Sequence, residues 1–221
     1  MVVTAGETRH QFCCWKVNNK GFQMDSLGGQ ANLAFDLLSQ FHSESCFSGS
    51  VDPTEKPELL VFTDSDFASC PYTCRSTSGV IYLIRTGGAY PVLWSSRKQG
   101  STARSSTEAD FIAFASALFG EALNLHEMAE CIIDMVVPVK FEQHNQPAIT
   151  VIRSGYSAKL RHLGRVRKVS IQSVNEQLEN NTFNLEYCET SMRFANGFTK
   201  IISNGVECQT TLQQLCIQPA S

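Results

Sequence analysis

Alternating runs of apolar and polar residues predict a sheet whose first strand ends on carboxylates. Residues 59–62 form a short, β-prone apolar run that polar residues follow at once, which is typical of a buried strand. Asp64 and Asp66 therefore stand at or just past the C-terminal end of this strand. Two further apolar runs, 78–84 and 90–94, are separated by a Gly-Gly pair that suits a tight hairpin.

A long helix is predicted after the hairpin. Ser105 and Glu108 have the spacing of a capping box, in which a hydroxyl and a carboxyl satisfy free N–H groups at the start of a helix. Glu108 therefore lies in the first turn of this helix. Apolar residues continue at helical spacing through Phe111, Ala115, Leu118, Ala122 and Leu125.

The remaining elements are predicted in the order strand, helix, helix, strand, helix. They are a strand over 136–142, a short helix that Gly155 ends, a helix that contains the basic run 159–168 and reaches Glu179, a strand over 183–187, and a helix over 194–202. Gly164 weakens the second of these helices. Nearer the N-terminus, residues 31–41 have the spacing of a short amphipathic helix.

The chain of 221 residues is long enough for one well-formed core. We predict one domain over 58–203, an N-terminal extension and linker over 1–57, and a C-terminal tail over 204–221. A content of 43% hydrophobic and 18% charged residues excludes a largely disordered chain. The formal net charge of -3 gives no overall attraction to nucleic acid, so binding of that kind requires a local basic patch.

The cysteines and the apolar segments indicate an intracellular protein, cytoplasmic or nuclear. Nine cysteines are an odd number, and reduced thiols are the default without signs of export. No zinc site is expected, because neither the pair Cys70 and Cys74 nor the scattered histidines supply a ligand set. The N-terminus lacks the pattern of a secretory signal, and no apolar run approaches the roughly 20 residues that span a bilayer.

Four short phrases in this order resemble one known family. They are TDSDFA at 63–68, RSTSG at 75–79, WSSRKQ at 94–99 and SSTEAD at 105–110. Together they resemble the ribonuclease H domain of copia-type (pseudovirus) retrotransposon Pol polyproteins. The resemblance implies an α/β fold of the ribonuclease H type, with a five-stranded mixed sheet flanked by helices. It also implies an ancestral activity, hydrolysis of the RNA strand of RNA–DNA hybrids.

That chemistry depends on acids at four positions of the family. Two Mg²⁺ ions held about 4 Å apart by carboxylates activate water and stabilise the leaving oxygen. The resemblance implies Asp64 and Glu108 as the first two acids and as the metal ligands. His144 and Asn196 stand where the family usually carries the other two acids. Any remaining activity is therefore expected to be weak and to require Mg²⁺ or Mn²⁺, with Glu142 as a conceivable substitute ligand on the strand face of His144.

Each acid also has an interpretation without catalysis. Asp64 could simply end a strand and cap a turn. Glu108 could serve only as the second half of its capping box. The four phrases support common ancestry, but they do not establish present activity.

Basic residues are candidates for contacts with a nucleic-acid backbone. In a continuous helix Arg161, Arg165 and Lys168 would share one face at i, i+4 and i+7, although a solvated surface explains them equally well. The pair Arg161-His162 fits a basic-His pair of the family, which implies a place for His162 near the substrate or in product release. Further candidates from the donor inventory are Arg75, Ser76, Arg97 and Lys98.

Three hypotheses remain open from the sequence. The first is a ribonuclease H-like domain with attenuated or lost cleavage, whose partners are RNA–DNA hybrids and other parts of the Pol polyprotein. The second is a non-catalytic module that keeps the fold and a basic face for nucleic acid. The third is a decayed genomic copy with no selected role.

Overall fold

The structure is a computed structural model that describes residues 45–47, 55–179, 183–189, 194–199 and 217–219. The helix predicted over 31–41 lies outside these residues, as does the end of the last predicted helix after Thr199. Two short strands, Ser45–Phe47 and Ile217–Pro219, pair antiparallel in a small sheet of their own.

Five strands form the main sheet, which is mixed as predicted. Their order across the sheet is β3-β2-β1-β4-β5, with antiparallel pairing among the first three and parallel pairing of β1 with β4 and of β4 with β5. This arrangement confirms the predicted ribonuclease H-like fold. The strands are Glu58–Asp66 (β1), Thr77–Thr86 (β2), Gly88–Lys98 (β3), Val139–Gln143 (β4) and Phe183–Tyr187 (β5).

Two strands differ in extent from the apolar runs that predicted them. β3 continues to Lys98, because the backbone ladder with β2 runs through its polar residues and pairs Thr77 with Lys98. β4 begins at Val139 rather than at Val136, whose side chain is exposed. The Pro138 carbonyl just before β4 accepts the Leu59 N–H at 2.9 Å. Hydrophobicity alone therefore locates these strands but not their ends.

The long helix forms where predicted, with a change of winding in its middle. It consists of Ser106–Ala117 (α1), a π-helical segment Leu118–Ala122, and Leu123–Ile133 (α2). Asp134 ends α2 in the left-handed conformation at φ 57°. No helix within the described ranges combines the length and apolar character needed to cross a bilayer.

The single helix expected from residue 159 to residue 179 is wrong. The structure has a short helix, Leu163–Val166 (α4), and a second one, Ile171–Glu179 (α5), after the predicted helix Gln146–Ser154 (α3). Lys168 takes a left-handed conformation at φ 53°, which ends α4. The Ser170 hydroxyl then accepts the Ser173 N–H at 3.2 Å and begins α5.

Two cores lie on opposite faces of the sheet. Side chains alternate along β1, so Val61 faces the larger core under the helices and Phe62 faces a smaller one. The smaller core is completed by a 3-10 helix, Phe194–Phe198, where the sequence predicted an α-helix. Asp64 shares the strand face of Phe62 and therefore lies beside this 3-10 helix.

Substitution of Gly79 by Ala should lower the free energy of unfolding by about 1–3 kcal/mol, the usual cost of overpacking. A Cβ at this position would lie 2.6 Å from Thr199 Cγ2 and 2.8 Å from the Ala195 carbonyl oxygen. Chemical denaturation measures the change. Gly100→Ala is the matched control, because its Cβ would meet nothing within 4 Å. Equal stability of the two variants would contradict the close packing of the 3-10 helix on β2.

Candidate functional site

Asp64 lies near the end of β1 with both carboxylate oxygens in contact with other side chains. Only 3% of the surface of Asp64 is exposed to solvent. The Thr199 hydroxyl donates to Oδ2 at 2.8 Å, and Nδ1 of His144 lies 3.5 Å from Oδ1. The carboxylate is therefore held by a hydroxyl and an imidazole.

The position of His144 follows from the parallel pairing of β1 with β4. The register sets Phe62 opposite Glu142, so both strands end at the same edge of the sheet. Gln143 is fully buried there, and its Oε1 accepts the backbone N–H of His144 at 2.8 Å. Its amide nitrogen donates to Thr63 Oγ1 at 3.2 Å. Gln143 thus ties the turn after β4 to β1.

Glu108 begins α1 with half of the predicted capping box. The Ser105 hydroxyl accepts the Glu108 N–H at 3.1 Å. The Glu108 carboxylate accepts the N–H of Arg104, also at 3.1 Å, where a capping box would use the N–H of Ser105. The second carboxylate oxygen lies 3.1 Å from Nε2 of His162. Glu108 therefore has both a helix-capping contact and an imidazole partner.

His162 lies between two acceptors. Its Nε2 contacts the Glu108 carboxylate, and its Nδ1 lies 3.2 Å from the carbonyl oxygen of Lys159. Both contacts can be hydrogen bonds at the same time only when both ring nitrogens carry hydrogen. His162 therefore links the first turn of α1 to the loop that carries Lys159.

A third buried acid, Asp110, joins three elements of the site. Its residue surface is 2% exposed. The Ser65 hydroxyl at the end of β1 donates to Oδ1 at 2.6 Å, and the Asn145 amide, which caps α3, donates to Oδ2 at 2.7 Å. Burial raises the pKa of Asp110, and the nearby Asp64 adds to the rise, while the two hydrogen bonds and His144 oppose it.

Sequence reasoning did not single out Asp110 as a site residue. It stands two residues after Glu108, so it points to another face of the helix. The available signal was an acid at the start of an otherwise apolar run, inside the SSTEAD phrase. A buried helical acid of this kind needs partners, which predicts donors from neighbouring elements.

Asn196 is connected to Asp64 through Thr199. The Asn196 backbone oxygen accepts the Thr199 N–H at 3.1 Å and lies 3.0 Å from the Thr199 hydroxyl oxygen. The side-chain Oδ1 is buried and has no hydrogen-bond partner among the described residues. The structure thus brings the Asn196 backbone next to Asp64, and Thr199 is the residue that makes the contact.

Glu142 does not take the place of a missing acid. Its carboxylate lies 3.0 Å from the ammonium of Lys140, which is on the same face of β4. Lys140 also pairs with Glu186 of β5 at 2.7 Å. These contacts therefore do not support Glu142 as a substitute metal ligand.

The described residues do not fit a pair of Mg²⁺ ions. Nowhere in the described ranges do three His, Cys, Asp or Glu side chains come together as a cation site. Mg²⁺ requires several oxygen ligands in near-octahedral geometry. Here the oxygens of Asp64 contact Thr199 and His144, and those of Glu108 contact Arg104 and His162.

Three basic side chains and one acidic side chain are among the residues that line a cleft between the hairpin and the long helix. The cleft is lined by Arg97 and Lys98 of β3, by Arg167, and by Glu121 of the π-helical segment. Arg167, which sequence reasoning missed, donates to the Ser101 carbonyl oxygen at 2.6 Å. Burial lowers the pKa of Arg167, Glu108 opposes the shift, and Arg75 adds to it, so these charges lie close together.

Two expectations for the basic residues need correction. Arg161, Arg165 and Lys168 are exposed, but they do not share a helical face, because α4 ends before Lys168. Ser76 is fully buried, and its hydroxyl accepts the Ala68 N–H at 3.1 Å. Its side chain is therefore not available to a phosphate group.

Replacement of Asn145 by Ala should lower the free energy of unfolding by about 1–3 kcal/mol. The change removes the cap of α3 and leaves the buried Asp110 carboxylate with one donor fewer. Thr150→Ala is the matched control, since this exposed hydroxyl bonds only within α3. Thermal and chemical denaturation of the two variants provide the comparison. Similar losses in both would contradict a special role for the Asn145–Asp110 contact.

No family model matches the chain. It is 34% identical over 85 residues to an uncharacterized mitochondrial protein of Arabidopsis thaliana. This match covers 37% of the chain and 34% of the relative, so the chain spans about a third of the length of that relative.

Among solved structures, RNase H1 of the halophilic archaeon Halobacterium salinarum is 11% identical, with a TM-score of 0.41 over 62% of this chain and 90% of its own. LC11-RNase H1, isolated from compost by a metagenomic approach, is 14% identical, with a TM-score of 0.45 over 64% and 91%. The PFV RNase H domain is 12% identical, with a TM-score of 0.42 over 74% and 94%. The strand order and register observed here give the described part of the chain a ribonuclease H-like fold.

Proposed function

We propose that this chain is the ribonuclease H-like domain of a copia-type retrotransposon Pol polyprotein, that it binds RNA–DNA hybrids, and that its cleavage of the RNA strand is attenuated or lost. The observation that carries this proposal is the environment of Asp64. An imidazole and a hydroxyl contact its two oxygens, at the sheet edge where the family gathers acids.

The chemistry of hydrolysis explains why this environment matters. Two-metal catalysis stabilises the attacking and leaving oxygens with cations that need anionic oxygen ligands. His144 replaces one anionic ligand by a nitrogen donor, and Asn196 replaces another by a neutral amide. The remaining acids, Asp64 and Glu108, already have partners within the protein. Any residual cleavage would require Mg²⁺ or Mn²⁺ to compete with these internal contacts.

The charges around the cleft support binding of a polyanion. Arg97 and Lys98 are exposed on β3, and Arg75 is exposed in the loop between β1 and β2. Phosphate contacts of this kind give affinity that depends on salt but not on base sequence. The whole chain is weakly acidic, so this local basic cluster is the feature that would attract a nucleic acid.

A non-catalytic binding module is the second candidate, and the same cluster favours it. The basic side chains keep their positive charge whether or not the acids can bind metal. Binding without cleavage would support this candidate, whereas weak cleavage that requires Asp64 would support the first. In either case other parts of the Pol polyprotein are the protein partners that we propose.

Cleavage of a labelled RNA–DNA hybrid in Mg²⁺ or Mn²⁺ should be slow or absent in the natural chain. The double variant His144→Asp with Asn196→Asp should cleave faster, because it restores two anionic ligands at the sheet edge. The added variant Asp64→Asn should remove any gain, which links the gain to this site. Robust cleavage by the natural chain that Asp64→Asn abolishes would contradict the proposal of lost activity.

Neutralising Arg75, Arg97 and Lys98 to Gln should weaken hybrid binding and make it less dependent on salt. Each lost phosphate contact should lower the slope of log affinity against log salt by about one. Fluorescence anisotropy over a salt series measures both quantities. Lys56→Gln is the control, because this exposed lysine precedes β1 at the opposite end from Asp64. An unchanged slope in the triple variant would contradict binding through these residues.

A further inference from the structure

Two cysteines stand in one tight turn of the loop between β1 and β2. The Cys74 N–H donates to the Cys70 carbonyl oxygen at 2.8 Å, which closes an i to i+4 turn. A turn of this type holds the two α-carbons about 6 Å apart, inside the roughly 4.4–6.8 Å that a disulfide spans. Cys74 is exposed and takes a left-handed conformation at φ 51°. The backbone hydrogen bond therefore keeps the two cysteines in one turn, at an α-carbon separation that a disulfide can span.

The environment of Cys70 stabilises a thiolate. The ammonium of Lys98 lies 3.1 Å from its Sγ. A hydrogen bond from the Thr73 side chain, the Lys98 ammonium, and the backbone N–H groups of Thr73 and Tyr72 lower the pKa of Cys70 to about 6, against the opposing effect of burial. The residue is 9% exposed. These contacts therefore favour the thiolate, which is the reactive form of the sulfur.

We propose that Cys70 and Cys74 form a reversible redox site in which Cys70 reacts with a peroxide and Cys74 resolves the product. The geometry of the turn and the contact of Cys70 with Lys98 carry this proposal. Neither cysteine belongs to the acid site or to the groups proposed to contact phosphate. The site is therefore an addition to the ribonuclease H-like chemistry and does not depend on it.

The reaction takes place in two balanced steps. The Cys70 thiolate attacks one oxygen of hydrogen peroxide, an S–O bond forms, the O–O bond breaks, and hydroxide leaves. The Cys74 sulfur then attacks the Cys70 sulfur, an S–S bond forms, the S–O bond breaks, and the oxygen leaves as water with the proton of the Cys74 thiol. The two thiols lose two electrons in total, and the peroxide is reduced. A thiol such as glutathione or dithiothreitol returns the pair to its reduced state.

Oxidation would change the charge of the neighbouring cleft. A disulfide removes the negative charge that faces Lys98, and Lys98 lines the cleft beside Arg97. The oxidised protein should therefore attract a polyanion more strongly than the reduced protein. This consequence rests on the proposed function, whereas the thiol chemistry does not.

The test is oxidation of the reduced, full-length chain by hydrogen peroxide, followed by mass spectrometry of the fragment that contains both cysteines. We expect a fragment that has lost two hydrogen masses and regains them with dithiothreitol. Cys74→Ser should stop at the sulfenic acid, which dimedone traps on Cys70. Cys131→Ser is the control, because Cys131 is exposed but lies on α2. Absence of the Cys70–Cys74 bond in the natural chain would overturn the proposal.

Alkylation of Cys70 by iodoacetamide over a pH series provides a second, independent measurement. The rate should rise with a midpoint at about pH 6 and shift to higher pH in Lys98→Gln, with folding checked by circular dichroism. A midpoint near the ordinary thiol value of about 8.5 in the natural chain would overturn the role of Cys70.

Hybrid binding of the reduced and oxidised proteins separates the two proposals. Tighter binding after oxidation supports the link between the redox site and the cleft. A protein that forms the disulfide and binds hybrid with unchanged affinity overturns that link. A protein that forms the disulfide but binds no hybrid in either state leaves the redox site standing and overturns the proposed function.

Discussion

The parallel pairing of β1 with β4 is the constraint on which the whole site depends. Because these strands run in the same direction in register, their C-terminal ends meet at one edge of the sheet. Asp64 and His144 come into contact there, and Gln143 holds the junction from within the core. The 3-10 helix reaches the same edge from the other face, where it places Thr199 on Asp64. A slip of one residue would turn Asp64 to the opposite face.

The carboxylate oxygens of the buried acids form hydrogen bonds and close polar contacts with other groups of the protein. A buried carboxylate needs hydrogen bonds or opposite charge, because its transfer from water into the protein is costly. Asp64, Glu108 and Asp110 each obtain such partners from neighbouring elements. This explains how three buried acids can persist in a described region that holds no cluster of metal ligands. The residues that we propose for weak catalysis therefore also stabilise the fold through these contacts.

The sequence predicts the order of the elements along the chain and the positions of Asp64 in β1 and Glu108 in α1, for physical reasons. Alternation of apolar residues locates β1, the hairpin and α1, and the capping pattern places Glu108 in the first helical turn. The contacts of Thr199 with Asp64 and of His162 with Glu108 could not be predicted, because they join residues that are far apart in the sequence.

Local geometry limits sequence prediction elsewhere in the chain. The break before α5 depends on the left-handed conformation of Lys168 and on the cap that Ser170 provides. The run of basic residues in the sequence gives no sign of either feature. The contact of Lys98 with Cys70 likewise depends on the register of the β2–β3 hairpin, and no spacing along the chain predicts it.

Crystals of the protein soaked in Mn²⁺ would show whether the acid site binds a metal ion, because anomalous scattering locates this ion. We expect no Mn²⁺ within bonding distance of Asp64, and we expect the contacts of Asp64 with Thr199 and His144 to persist. Two Mn²⁺ ions about 4 Å apart, held by Asp64 and Glu108, would contradict this expectation.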